Sequence, residues 1–379
     1  MTLKAISALR IFDGEKMHYE SAILWQDEHI VAIMPTASLP SHAEVTCFPT
    51  STITPGFIDL QVNGGGGVMF NQQTDANGIA TICDAHRKHG TAYLLPTLIS
   101  DSQEKIAQAL KATELAFENK VTGVLGVHLE GPWLSPEKKG AHDSHHFYDP
   151  TIESLEQLPW LAKGKTLVTL APEKVNAAAI QWLSRQGILL SCGHSNATQE
   201  ELTEETLGHI DGFTHLYNAM SPLNGREPGV VGTALMTDHA WCSIITDGIH
   251  VDPTSVKLAQ RAKPQGKLVI VTDAMASLGS EDNCFVLNGE TIRVVDNKLV
   301  NANGSLAGAH IGMDQSVAKA INWGMDELEV FKMASTYPAH ALRSASTLGY
   351  LKTGFIAAAT ILDDNYQTQA VLVDGKLFH

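Results

Sequence analysis

Residues 187–216, GILLSCGHSNATQEELTEETLGHIDGFTHL, decide the fold. An apolar run, 188–194, ends in a histidine; a polar segment follows, and a second run, 212–216, again carries a histidine. Thr198 and Glu201 have capping-box spacing, so a helix is expected to open TQEELTEETLG. Strand, helix and strand in this order form the unit of a parallel sheet, because parallel neighbours need a crossover connection.

The rhythm recurs on both sides of this unit. Further runs stand at 53–60 (ITPGFIDL), 92–99 (AYLLPTLI), 124–130 (VLGVHLE), 166–172 (TLVTLAP), 243–248 (SIITDG) and 268–274 (LVIVTDA), with helical patterns at 75–90 and 101–120. Eight units imply an α/β fold, a (β/α)8 TIM-type barrel, with a doubly wound open sheet as the alternative. The barrel is favoured because nearly every run ends in a chemically useful polar residue, and barrel active sites gather at the C-terminal strand ends.

The two chain ends read differently. Residues 21–34 look like two strands about a Gln26-Asp27-Glu28 turn, and 370–378 carry an Asp374-Gly375 hairpin signal. Neither end is large enough to be stable alone. Residues 1–52 and 346–379 are therefore expected to form one small β-sandwich beside a barrel spanning 53–345. A β-hairpin with an Asn288-Gly289 turn is expected near 284–301, and Gly64 to Gly67 reads as a flexible loop without phosphate-loop spacing.

The 379 residues carry 41 acidic against 26 basic side chains, a net charge of −15. Binding to nucleic acid or an anionic membrane is thereby excluded, since both need a cationic face. The five cysteines are scattered and unpaired in sequence, and there is neither a signal-peptide core nor an 18-residue apolar stretch. A soluble, cytoplasmic protein is expected.

Polar residues at the strand ends are Gln61, Asn63, Glu130, Glu173, His194, His215 and Asp273. One glutamate and two histidines on three strand ends of one barrel would converge, and that donor set suits a catalytic divalent metal with a position left for water. Asp273 would then move the water's proton; an N-cap is the alternative. His142, in KKGAHDSHHF (138–147), could donate to an oxyanion, or be one more solvated side chain beside His145 and His146.

In order along the chain, PGFIDLQVNG (55–64), GVHLEGPWL (126–134), KKGAH (138–142), CGHSNAT (192–198), THLYNAM (214–220), GREPG (225–229), DGIHVD (247–252), VTDAM (271–275) and SLAG (305–308) resemble the N-acetylglucosamine-6-phosphate deacetylase family of the amidohydrolase superfamily. The resemblance implies a distorted barrel with a β-sandwich built from both ends, and hydrolysis of an N-acetyl amide to acetate and glucosamine 6-phosphate. It assigns the metal to Glu130, His194 and His215, general base and acid to Asp273, and carbonyl polarisation to His142. Asn218, Ala219, Arg226 and His250 would meet the sugar phosphate, and Ala141, Leu306, Ala307 and Gly308 would also contact substrate. A homodimer is implied, with Arg226 reaching across the interface.

Where many amidohydrolases carry His-x-His, this chain has Gln61-Val62-Asn63. Amides are poorer zinc ligands than imidazole, so one divalent ion is expected, zinc first, with iron(II) or another ion as alternatives. Two other readings are a cyclic-amide hydrolase using a carbamylated lysine, for which Lys174 is the nearest candidate, and a non-catalytic sugar-phosphate sensor. Arg226 offers phosphate a planar fork and His250 a recruitable charge. With Lys138 and Lys139 they would form a small cationic pocket in an acidic shell, since salt screens distant charge beyond about 8 Å.

Overall fold

The computed structural model describes residues 2–379. Its eight barrel strands are Phe57–Val62, Thr91–Ile99, Gly126–Glu130, Lys165–Leu170, Leu189–Cys192, Gly212–Phe213, Trp241–Ile244 and Leu268–Ile270. They are hydrogen-bonded in sequence order, and every neighbouring pair is parallel. Between the segment after the eighth strand and the first strand there is, among the described residues, a single bridge, Val62 to Ala274, together with the Asp273 N–H donating to the Gln61 carbonyl at 3.0 Å and the Asn63 and Gly64 N–H groups donating to the Ala274 carbonyl at 2.9 and 3.0 Å. All eight apolar runs form barrel strands, and their C-terminal ends face one mouth.

The crossover helices follow from caps and apolar spacing. Asp75 accepts from the Gly78 N–H to start Ala76–Arg87, which buries Ile79, Ile82 and Cys83 on one face. Ser102 does the same for Gln103–Glu118, which buries Ile106, Ala109, Leu110 and Thr113. The expected opening at Thr198 differs. The Thr198 N–H donates to Glu201 at 2.8 Å, yet the chain stays in turns, and a short helix, Glu204–Leu207, begins only after Thr203 caps it. A capping box satisfies two donors but cannot nucleate a helix by itself.

Both chain ends join one seven-stranded sheet. Leu3–Phe12, Met17–Gln26, His29–Pro35 and Glu44–Pro55 pair with Ala359–Leu362, Thr368–Val373 and Lys376–Phe378. The junction is Glu44–Pro55 against Ala359–Leu362, where Ile53 faces Ile361. This sheet has its own apolar core, including Ile6, Ile11, Ile23, Trp25, Ile53, Ile361 and Leu372. Phe57 N–H donates to Thr360 Oγ1 at 3.1 Å and ties the sheet to the first barrel strand.

Two local expectations are corrected. The 284–301 insertion is a three-stranded meander, Cys284–Leu287, Glu290–Val295 and Lys298–Val300, because a second tight turn at Asp296 and Asn297, both at positive φ, adds a strand to the hairpin. The tetraglycine segment is ordered: Gly64–Gly65 pair with Val68–Met69, and a Cβ on Gly64 would collide with the Val68 carbonyl. Glycine is required there by close approach, and at Gly66 and Gly67 by φ of +62° and +85°. No helix among the described residues is long and apolar enough to cross a membrane.

The third strand delivers Glu130 to the mouth, and its first residue, Gly126, has no room for a side chain because a Cβ would overlap the Lys165 carbonyl of the fourth strand. Gly126→Ala is expected to destabilise the fold by about 3 kcal/mol or more, the upper end of overpacking costs, since backbone must move. Denaturant unfolding of the variant measures this as a lower midpoint.

Candidate active site and metal centre

Glu130 is the last residue of its strand, while His194 and His215 lie two residues beyond the fifth and sixth strands. His215 Nε2 is 3.0 Å from both Glu130 Oε1 and His194 Nε2, and His194 Nε2 is 3.3 Å from the same oxygen. All three residues are buried, and their ligand atoms lie within 4.8 Å of one another. His194, His215 and Asp273 have positive φ of 49°, 38° and 53°. Such backbone is costly outside glycine and persists only when neighbours over-determine it.

The neighbours do so here. The His194 carbonyl accepts from Ser135 N–H at 2.9 Å. Glu173, beyond the fourth strand, accepts from Ser195 Oγ at 2.7 Å and from Asn196 N–H at 2.8 Å, pinning the turn after His194. His215 N–H donates to Ser243 Oγ at 2.7 Å.

The donor set fits a divalent cation on its own chemistry. His194 Nδ1 is 2.7 Å from the Lys138 carbonyl, which can only accept, so Nδ1 carries a proton and Nε2 is the nitrogen able to offer a cation its lone pair. That lone pair meets a second imidazole nitrogen and a carboxylate oxygen, an arrangement that calls for positive charge at its centre. Burial pushes the Glu130 carboxyl up, but its close contacts with His194 and His215 outweigh it and hold the group well below the usual range. Burial opposes a charge on His215, yet the Glu130 contact raises its pKa overall.

Gln61 and Asn63 join the cluster as hydrogen-bond donors. Gln61 Nε2 donates to Glu130 Oε1 at 2.8 Å and to Asp273 Oδ1 at 3.1 Å, and Asn63 Nδ2 donates to Asp273 Oδ1 at 2.6 Å. Both contacts to Asp273 fall on Oδ1, which leaves Oδ2 as the oxygen available for proton transfer. Burial, then the Glu130 charge, pushes the Asp273 carboxyl up to about 6, which suits a group that exchanges protons near neutrality.

His142 is a buried side chain, unlike its neighbour His145. Ser100 N–H donates to His142 Nδ1 at 3.2 Å, and Ser100 Oγ lies 2.8 Å from the same nitrogen. A backbone N–H can only donate, so Nδ1 bears the lone pair and Nε2 bears the proton, 3.7 Å from Glu130 Oε2. Burial, then His194, pushes the imidazole down to about 3. The result is a neutral imidazole presenting one N–H.

A cavity of about 220 Å³ opens over these groups, lined by Asn63, Glu130, His142, His194, His215 and Asp273, with Ala141, Asn218, Ala219, His250, Leu306 and Gly308 at its sides. Ala307 instead lines an adjoining cavity with Leu306, Lys139 and Asn288. Arg226 is exposed on the 221–228 loop and does not line the cavity of its own chain. Lys174 is paired with Glu137 at 3.9 Å and does not line the cavity, which leaves the carbamylated-lysine arrangement without support. Ser100 and Asp247 were assigned no role from the sequence. Asp247 accepts from Ile249 N–H and His250 N–H, both at 2.8 Å, and its Oδ2 lies 2.6 Å from His250 Nδ1, so Nδ1 bears a proton and Nε2 is the imidazole's remaining nitrogen. An Asp three residues before a His was visible as DGIHVD, but only the turn shows that they meet.

Comparison with known proteins agrees with this layout. The Amidohydrolase family profile matches residues 52–378. An N-acetylgalactosamine-6-phosphate deacetylase of Shewanella sp. (strain ANA-3) is 39% identical over 87% of this chain and 84% of its own length. An N-acetylglucosamine-6-phosphate deacetylase of Haemophilus influenzae is 36% identical over 94% of each. The crystal structure of N-acetylglucosamine-6-phosphate deacetylase from Pasteurella multocida superposes with a TM-score of 0.94 at 34% identity, covering 99% of both chains. With an eight-stranded parallel barrel, a Glu-His-His cluster at three strand ends that could hold a metal ion and a match across most of its length, the chain belongs to the amidohydrolase family.

Proposed function

We propose that this protein hydrolyses the N-acetyl amide of N-acetylglucosamine 6-phosphate, giving acetate and glucosamine 6-phosphate in amino-sugar catabolism. The observation that carries the reading is the buried Glu130–His194–His215 trio joined through Gln61 to Asp273. A sensor needs only a pocket; a buried carboxylate with a pKa near 6 beside a metal-type donor set belongs to hydrolysis.

Glu130, His194 and His215 would hold one divalent ion, zinc by preference. When bound, such an ion polarises the amide carbonyl and makes water a nucleophile near neutral pH. Gln61 and Asn63 are neutral amides, poorer ligands than the imidazoles they stand in for, which supports a single ion. Asp273 Oδ2 takes the proton of the attacking water and returns it to the departing amine, so one carboxylate serves as base and then acid. His142 donates its Nε2 proton as a hydrogen bond to the developing oxyanion.

At the other end of the cavity, Asn218, the Ala219 backbone and His250 would meet the sugar phosphate. Arg226 would complete the phosphate site from a second subunit, making the homodimer the working unit; its position outside its own cavity supports this. Lys139, which lines the adjoining cavity, would add positive charge. Asp247 keeps a proton on His250 Nδ1 and fixes the ring, so that Nε2 is the nitrogen left for the phosphate. Asp247→Asn is expected to raise KM for the phosphorylated substrate roughly ten- to hundredfold, the worth of about one charge-assisted hydrogen bond, while kcat changes little. Steady-state acetate release measures both constants.

The Shewanella relative favours a second reading, in which the substrate is the C4 epimer, N-acetylgalactosamine 6-phosphate. Acetate release from both epimers and from unphosphorylated N-acetylglucosamine decides. A kcat/KM at least about a hundredfold higher for phosphorylated than for plain sugar is expected from lost charged contacts, with the glucosamine epimer preferred. Preference for the galactosamine epimer would transfer the assignment to it, and equal rates with and without phosphate would overturn both.

A further inference from the structure

The barrel closes irregularly at its seam. Every other neighbouring pair of strands is joined by a ladder, but among the described residues the first strand and the segment after the eighth meet in one bridge, Val62 to Ala274, and three main-chain hydrogen bonds, from Asp273 N–H to the Gln61 carbonyl and from Asn63 and Gly64 N–H to the Ala274 carbonyl. Asp273 stands at this seam with φ of +53°, a conformation that the local chain does not favour. Asp59, wholly buried in the middle of the first strand, points its carboxylate across the gap. It accepts from the Thr272 N–H at 3.3 Å, from Thr272 Oγ1 at 2.5 Å and, on its own strand, from the Gln61 N–H at 3.2 Å. Thr272 Oγ1 in turn accepts from Ala274 N–H at 3.3 Å. The residues on either side of Asp273 are thereby fixed to the strand that carries Gln61 and Asn63, the two amides that grip its carboxylate.

We propose that Asp59 and Thr272 are positioning residues for Asp273, a side-chain clamp that adds to the few main-chain bonds of the seam and sets where the proton-transferring carboxylate stands. This rests on the reading of Asp273 as base and acid. Neither residue lines the substrate cavity, and neither touches the ligand trio. A polar clamp inside an apolar barrel wall has a physical rationale, because buried hydrogen bonds are directional where packing is not.

Asp59→Asn, nearly isosteric, places an amide N–H against the Thr272 donors. With metal-loaded protein, kcat for acetate release should fall about ten- to hundredfold, while KM stays within about threefold and one equivalent of metal is retained, as a displaced general base would give. Thr272→Val should lose as much as Asp59→Asn, and Thr272→Ser, which keeps the hydroxyl, should recover most of it. Should Asp59→Asn fail to fold, the valine and serine pair decides alone. Unchanged kcat in folded Asp59→Asn or in Thr272→Val, beside an inactive Asp273→Asn, would overturn the clamp and leave the base assignment standing. Equal activity of Thr272→Val and Thr272→Ser, or loss of metal in step with activity, would also overturn it. An active Asp273→Asn would instead overturn the base assignment, and the clamp with it.

Discussion

Asp273→Asn should lower turnover by roughly a thousandfold or more, since one side chain serves both proton transfers and general acid–base catalysis contributes about 10²–10⁴ in rate. The amide keeps the shape of the carboxylate, and Glu130, His194 and His215 are untouched, so the protein should still hold one equivalent of metal. Activity and metal content thus separate, which distinguishes loss of a proton carrier from collapse of the site. The pH profile of the unaltered protein gives an independent reading. Burial and the Glu130 charge raise the Asp273 pKa to about 6, and a bound cation draws it down from there. The working form is ionised, so kcat/KM should be lost as pH falls through a value at or below about 6, and be level above it. Asp273→Asn should lack that limb in its residual activity.

Glu130→Gln should remove both metal and activity. Glu130 is the only anionic member of the ligand trio, and an amide oxygen in its place offers neither charge nor comparable affinity. Metal retained after dialysis should drop to about 0.1 equivalent or less, with acetate release falling to background. His142 stays in place through its contacts with Ser100, which do not involve the Glu130 side chain. A chelator should reproduce the effect in the unaltered protein, and added divalent ion should reverse it there but not in Glu130→Gln. Elemental analysis together with the acetate assay checks both halves.

What the sequence made legible was local. Apolar runs such as 124–130 and 268–274 became barrel strands because strand identity follows from short-range pattern, and Glu130 and Asp273 announced themselves by ending those runs. His194 and His215 were readable for the same reason. Tertiary pairings were not. Ser100 fixes the His142 tautomer across 42 positions, and Asp59 meets Thr272 across 213, with no periodicity linking either pair. Gly64 to Gly67 looked pliant because glycine permits any loop, whereas here it is demanded by packing against Val68 and Ala276. Thr198 and Glu201 formed their box, yet nothing downstream propagated a helix until Thr203. Arg226 was legible as a phosphate-binding residue only through family resemblance, since in its own chain it faces outward.

One cation, held by Glu130, His194 and His215, is expected to support hydrolysis of an N-acetylamino-sugar phosphate. The most direct measurement is a titration of metal-stripped protein with zinc, following acetate release from N-acetylglucosamine 6-phosphate. Activity should rise from background and level off at one equivalent per chain. Levelling at two equivalents, full activity without added metal, or no acetate at any loading would contradict the account.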